Sequence, residues 1–210
     1  MEEFFGLPQE HIHLIKKLNS PKKIQDFLDK IEMNFEPQGD TCISPETVLK
    51  TKKAHCIEGA VLATLILRYH GHEPLLLDLE AIDPDFDHVV ALFKKDGCWG
   101  AISKTNHAVL RYREPIYKTI RELTMSYFHE YFLNECGTKT LRRYSNPVNL
   151  KRFDKKNWVC SKKNIWFIPE YLTKVKHHNI LTKKQIRNLR KADAVERKAG
   201  RIVQYKKTKK

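Results

Sequence analysis

The apolar positions of this chain change period along its length. In LNSPKKIQDFLDKI, Ile24, Phe27, Leu28 and Ile31 recur at helical spacing, behind Ser20 as a cap and Pro21 at the first helical position. NFEPQGDTCIS then reads as a loop. SPETVLKT repeats the Ser-Pro entry at Ser44 and Pro45 and predicts a second, short helix. From His55 to His70 the chain is apolar almost all round, the pattern of a centrally buried helix, and it stops at Gly71.

The period then shortens. Residues 73–81, 87–95 and 98–103 predict strands, and Asp96-Gly97 between the last two is a strong hairpin signal. With a two-residue turn, Lys95 pairs with Cys98, Leu92 with Ala101, Val90 with Ser103 and His88 with Thr105. Side chains alternate, so His88, Ser103 and Thr105 share a face. Asn106 falls on the other face unless the strand ends near Ser103. Helical spacing returns over 115–133 through Ile116, Ile120, Leu123, Tyr127, Phe128 and Tyr131. SNPVN predicts a break, and NIWFIPEYL a strand or packing arm. Thr182 caps a last basic helix reaching Ile202, before a frayed end at 206–210. The order predicts an α+β fold: N-terminal helices, a central buried helix, an antiparallel sheet, then basic helices.

Charge divides the chain more sharply than pattern does. The net charge is +14. Residues 1–138 carry 16 Lys+Arg against 21 Asp+Glu, and residues 139–210 carry 23 against 4. The predicted division is a core over 1–138 and a basic extension over 139–210, packed on the core up to about residue 180. The basic residues 182–210 suit nucleic acid or another polyanion, through phosphate contacts rather than base stacking. The plain alternative is a solvated lysine-rich face.

The five cysteines are irregularly spaced with no CxxC pair. The opening MEEFFGLPQE is acidic and unlike an export signal, and no apolar run is long enough to span a membrane. These features predict a cytoplasmic protein with free thiols and no structural zinc. Asp83, Asp85 and Asp87 lack the glycine and distal glutamate of a calcium loop, and His177-His178 has no further ligand at metal spacing. No metal or cofactor is expected.

One cysteine is placed for chemistry. Cys56 opens the apolar helix, where unpaired N–H groups and the helix dipole favour a thiolate, and Lys52 and Lys53 precede it. A cysteine there is more often core packing. His88, opening its strand, is a candidate base, with hydroxyls in register to fix its tautomer.

On these elements the sequence resembles the transglutaminase-like branch of the papain-type cysteine enzymes. The matching residues are SPETVLKT, C-I-E-G-A with Cys56 first, the helix end at Tyr69-His70-Gly71, His88 opening a strand, and Trp99 after the turn. The resemblance covers roughly residues 20–106. It implies a transglutaminase-like, papain-like core with Cys56 as nucleophile and His88 as base. It also implies a protein or peptide substrate opened at an amide (peptide or isopeptide) bond by hydrolysis or acyl transfer. Trp99 and His55 would then flank the substrate. The family's third residue is an aspartate four places after the tryptophan; here that place is Ser103, in WGAISKTN. Asn106 is the alternative third member, and His55 stands where the family has glycine. The absent carboxylate leaves a second reading: an inactive member that binds an anionic partner through its basic back.

Overall fold

The computed structural model describes residues 3–206, so most of the predicted frayed end lies outside the described residues. Three helices, α1 (Gln9–Lys17), α2 (Pro21–Lys30) and α3 (Pro45–Thr51), surround α4 (Cys56–Tyr69). Both Ser-Pro entries form as expected: Ser20 Oγ accepts from Lys23 N at 3.3 Å and Ser44 Oγ from Thr47 N at 3.4 Å. The unpredicted helix is α1. It has no side-chain cap and only Ile12 and Ile15 as buried apolar residues, with His11 filling a third inward place.

Every residue of α4 from Ile57 to Leu67 is buried. Burial of each large apolar side chain is worth about 1.5–3 kcal/mol, which makes α4 the main anchor of the fold. It lies on an antiparallel sheet of β3 (Leu75–Ala81), β4 (His88–Lys95), β5 (Cys98–Ile102) and β6 (Arg113–Tyr117), extended by β7 (Leu141–Ser145), β8 (Val148–Asn149) and β9 (His177–Asn179). The spatial order is β6-β5-β4-β3-β7-β9, with β8 also on β3. A two-residue parallel pair, β1 (Glu32–Met33) with β2 (Lys53–Ala54), sits just ahead of α4. Alternation divides the sheet faces. Leu76, Val89, Ala91 and Phe93 join the core around α4. Leu77, Leu79, Val90 and Leu92 join a second core under α5 (Ile120–Phe128). The fold is α+β.

Two expectations change and one alternative is settled. The helix predicted over 115–133 starts late: Ile116 lies in β6, 67% exposed, and Thr119 and Glu122 form a capping box that starts α5 at Ile120. Residues 164–172 form turns and α6 (Pro169–Leu172), so of the two alternatives it is the packing arm and not the strand, with Ile165, Ile168 and Leu172 buried in the core. The basic helix from Thr182 is two helices, α7 (Lys183–Arg187) and α8 (Ala194–Gly200), because Asp193 caps a new start.

The division at residue 138 is not a break in the fold either. β7 pairs with β3 inside the sheet, and Leu150, Phe153, Trp158, Ile165 and Ile168 lie in the core around α4. Packing does not stop near 180: Ala192 N donates to Gly137 O at 2.8 Å, and Gln204 N to Asn106 O at 2.8 Å. Lysine and arginine tips lie at the surface while apolar neighbours face inward, so the charge step marks a change of surface. Among the described residues no helix is long and apolar enough to cross a membrane.

Candidate active site

Cys56 lines a cleft of about 550 Å³ together with His55 and His88. Met33, Phe35, Val109, Leu110 and Phe132 supply apolar wall, and Phe86 stands at the rim, 85% exposed. The thiol is only partly exposed. Burial would push its pKa up, but hydrogen bonds and charge from His55 and His88 outweigh that and hold it down at about 5. All five cysteines are free. Buried Cys42 shows the opposite balance: burial and nearby negative charge push its thiol far up.

The hairpin register is as predicted from Lys95–Cys98 through Leu92–Ala101 to Ala91–Ile102, where the ladder ends. Ser103 still reaches His88: its Oγ lies 2.8 Å from His88 Nε2. Ser103 Oγ also donates its proton to Leu110 O at 2.5 Å. A hydroxyl has one proton, so toward His88 it can only accept. The chain of hydrogen bonds therefore assigns the His88 proton to Nε2 and leaves Nδ1 as the basic nitrogen.

Ser103 is held from behind by Gln25 of α2. The Gln25 amide donates to Ser103 O at 2.8 Å and accepts from Ser103 N at 2.9 Å, replacing the missing strand partner. Next along, the buried Lys104 ammonium meets Leu28 O and Ile31 O at the C-terminal end of α2. Its stem lies against Gly59. A Cβ on Gly59 would stand 2.4 Å from Lys104 Cβ. The glycine of C-I-E-G-A thus lets the end of β5 approach the first turn of α4, which brings Ser103 and Cys56 into one site.

Glu58 of the same motif is fully buried. It accepts from Thr41 Oγ1 at 2.8 Å, Ile43 N at 3.0 Å, Asn34 Nδ2 at 3.1 Å and His55 N at 3.0 Å. Burial would raise its pKa, but these bonds and the His55 imidazole hold it near about 2. His55 has Nδ1 3.9 Å from Cys56 Sγ. Its Nε2 faces Thr41 O at 2.9 Å, Glu58 Oε1 at 3.3 Å and Glu36 Oε1 at 3.4 Å. Burial would lower the His55 pKa, but the bonds to Cys56 and Glu58 raise it to about 11.

The other predicted site residues make no hydrogen bond to His88, although Thr105 and Asn106 line the cleft. Asn106 is turned away from His88: its amide donates to Tyr205 O at 2.9 Å and its oxygen accepts from Tyr205 N at 2.8 Å. Thr105 Oγ1 accepts from His107 N instead of pairing with His88. Trp99 is not part of the cleft wall. It lies at the hairpin end of β5, paired with Tyr117 and covered by Lys94, because the strand carries it away from Ser103. The paired histidines at 177–178 engage Asp78 and Asn146, and among the described residues no cluster of three metal-ligating side chains occurs.

Gln25, Glu58 and the C-terminal segment were not singled out from sequence. Residues 202–205 return alongside residues 106–108, joined by an isolated bridge between His107 and Val203. Gly200 lines the cleft beside Asn134 and Phe132. Glu58 had one visible sign, its place as the buried third helical residue of C-I-E-G-A. Gln25 and the tail carried none, because their partners lie 78 and 99 residues away. No protein-family model matches the chain, and no curated protein matches it.

Proposed function

We propose that the protein is a cysteine hydrolase or acyltransferase with a transglutaminase-like core, acting through Cys56 and His88. The observation that carries this reading is the proton chain from His88 Nε2 through Ser103 Oγ to Leu110 O, at a cleft that also holds Cys56. It supplies what the aspartate of the resembled family supplies to the tautomer, without its charge. The Cys56 thiolate attacks an acyl carbonyl, amide or thioester. The C–S bond of a thioester breaks with its electron pair on the departing sulfur, or the C–N bond of an amide breaks once its nitrogen has taken a proton, and a thioester to Cys56 forms. The N-terminal amides of α4 face the developing oxyanion. Water or an amine then attacks, His88 Nδ1 takes its proton, and Cys56 leaves as thiolate.

Alkylation by iodoacetamide at pH 7 tests the reading. Cys56 reacts much faster than Cys98, Cys136 and Cys160, as peptide mapping of the labelled protein reports. Equal rates at Cys56 and exposed Cys136 sink it.

A second reading, a non-catalytic polyanion-binding protein, draws on exposed Lys183, Lys184 and Arg187 of α7. Part of the remaining charge is engaged within the fold: Arg197 and Arg201 donate to Glu135 O and Asn134 O. Salt-dependent retention on heparin that is lost when these three α7 residues become glutamate supports it. Retention unchanged by that triple substitution removes it.

A further inference from the structure

The leaving group can be argued from the two histidines at the sulfur, building on the cysteine chemistry proposed above. Nε2 of His55 meets only acceptors: the Thr41 carbonyl and the carboxylates of Glu58 and Glu36. That nitrogen keeps a proton. Nδ1 meets Cys56 Sγ. With a thiolate there, Nδ1 carries a proton too, and the ring is a cation between one sulfur and two carboxylates. Glu58 cannot turn away, being fully buried and held by Thr41, Ile43, Asn34 and the His55 N–H.

His88 is built differently. Ser103 behind it accepts one hydrogen bond and bears no charge, so it gives an imidazolium none of the counter-charge that a carboxylate would. The other titratable groups of the cleft are engaged away from the sulfur: Tyr131 donates to Phe86 O, Lys104 to Leu28 O and Ile31 O, His107 Nδ1 meets Gly200 O, and Asp85, Asp87 and Glu130 accept from Thr140, Ala81 and Leu110. The site therefore pairs a fixed cation that gives up its proton reluctantly with a second imidazole that no carboxylate keeps protonated, a poor arrangement for donating a proton to a leaving group. An amine leaving from an amide must be protonated as it departs; a thiolate leaving from a thioester need not be.

We infer that His55 holds Cys56 as a standing thiolate, that His88 serves only the second half-reaction, and that the acyl donor is a thioester. In the first half-reaction the Cys56 sulfur attacks the carbonyl carbon, and the donor's C–S bond breaks with its electron pair on the departing thiolate. In the second, water or an amine adds, its proton passes to His88 Nδ1, and the acyl–Cys56 bond breaks. His88 then returns the proton to the departed thiolate or to solvent.

The experiment uses the full chain and an N-acetylcysteamine thioester of a short acyl group, with the matched alkyl amide as control. Intact mass reports acyl-Cys56, and absorbance at 240 nm reports the thiolate. With His88→Gln, acyl-Cys56 forms within about tenfold of the wild-type rate and accumulates, because only deacylation is lost. With His55→Gln, the thiolate midpoint rises by about one pH unit or more and acylation below pH 7 slows to match. The amide yields no acyl-enzyme. Three results overturn the inference: His88→Gln blocking acylation as fully as Cys56→Ala, His55→Gln leaving the thiolate midpoint in place, or the amide acylating as fast as the thioester. If the wild type takes no acyl group from either donor, the enzyme reading has failed. The 240 nm titration of His55→Gln then still decides whether His55 holds the thiolate.

Discussion

Two buried histidine–carboxylate clusters stand among the described residues, and they are built to opposite ends. At the cleft, Glu58 accepts from four hydrogen-bond donors besides its contact with the His55 ring, and its pKa is held at about 2 although burial opposes that. Across β7, His177 Nε2 lies 3.1 Å from Asp78 Oδ2 and 3.7 Å from Glu80 Oε2, with Nδ1 on Val175 O. Asp78 has the imidazole as its main donor. Burial wins there, helped by the charges of Asp87 and Glu80, and its pKa rises to about 6. A buried carboxylate stays charged when enough donors surround it and shares a proton when they do not. The first cluster fixes a cation beside a thiol in a cleft. The second ties β9 to β3 with no sulfur beside it.

The two clusters respond to pH with opposite sign. Glu58, with its pKa lowered, contributes stability that is present above the usual carboxylate pKa and lost as pH falls through about 2. Asp78, with its pKa raised, binds its proton more tightly in the native state. Its contribution is greatest in acid and declines as pH rises through about 6. The Cys56–His55 pair is charged between about 5, where the thiolate takes a proton, and about 11, where the imidazolium loses one.

The largest effect expected from breaking the first cluster is on turnover. His88→Ala lowers steady-state acyl transfer by about 10²–10⁴-fold while the thermal midpoint stays close to wild type. Glu58→Gln strikes the fixed charge itself. Leaving His55 without its buried partner costs about 3–5 kcal/mol in chemical denaturation, and Cys56 alkylation at pH 6 slows with it. Gly59→Ala drives a methyl into Lys104, at about 1–3 kcal/mol, and shifts Ser103 so that alkylation falls as well. Asp78→Asn sharpens the contrast by doing little. A carboxyl that already shares its proton is replaced at a cost within about 1 kcal/mol, with Cys56 reactivity unchanged. If Asp78→Asn and Glu58→Gln cost the same, donor number is not what separates the clusters.

Ser103→Asp adds a different test. An aspartate there meets His88, as in the resembled family, but also Leu110 O, which now accepts a proton that a carboxylate cannot give. The expected outcome is lower stability, by about 1–3 kcal/mol, without faster turnover. A faster enzyme of equal stability would show that the serine simply stands in for the lost acid.

Much of the site was legible because it is local. The apolar run from Cys56, the Asp96-Gly97 turn and period-2 alternation sufficed to place His88 and Ser103 together. Helix starts were legible where a serine and a proline marked them, at Ser20 and Ser44, and not at α1, whose entry has neither a polar cap nor a full apolar stripe. The late start of α5 was readable in Thr119 and Glu122 but was outweighed by the helical spacing of Ile116. What lay beyond reading was non-local polar pairing. Gln25 with the Ser103 backbone, and Asn106 with Tyr205, are amides whose partners nothing in their neighbourhood announces. Charge misled for a related reason, since it records where side-chain tips end and not how the backbone packs.

The clasp of Asn106 on Tyr205 also orders events in time. Tyr205 Oη donates to Asp29 O, a contact that spans 176 residues of chain. Tyr205 also holds Asn106, and Gly200 lies five residues before Tyr205; Asn106 and Gly200 both line the cleft. Closing so long a span adds little entropy cost over a moderate one, but it must wait for both ends to be in place. The helix and hairpin that carry Cys56 and His88 form from near neighbours, whereas this border assembles late and opens first. Amide exchange at Gln204 and Tyr205 is then faster than at Val90 and Leu92, and the reactive thiol is sheltered only when folding is finished.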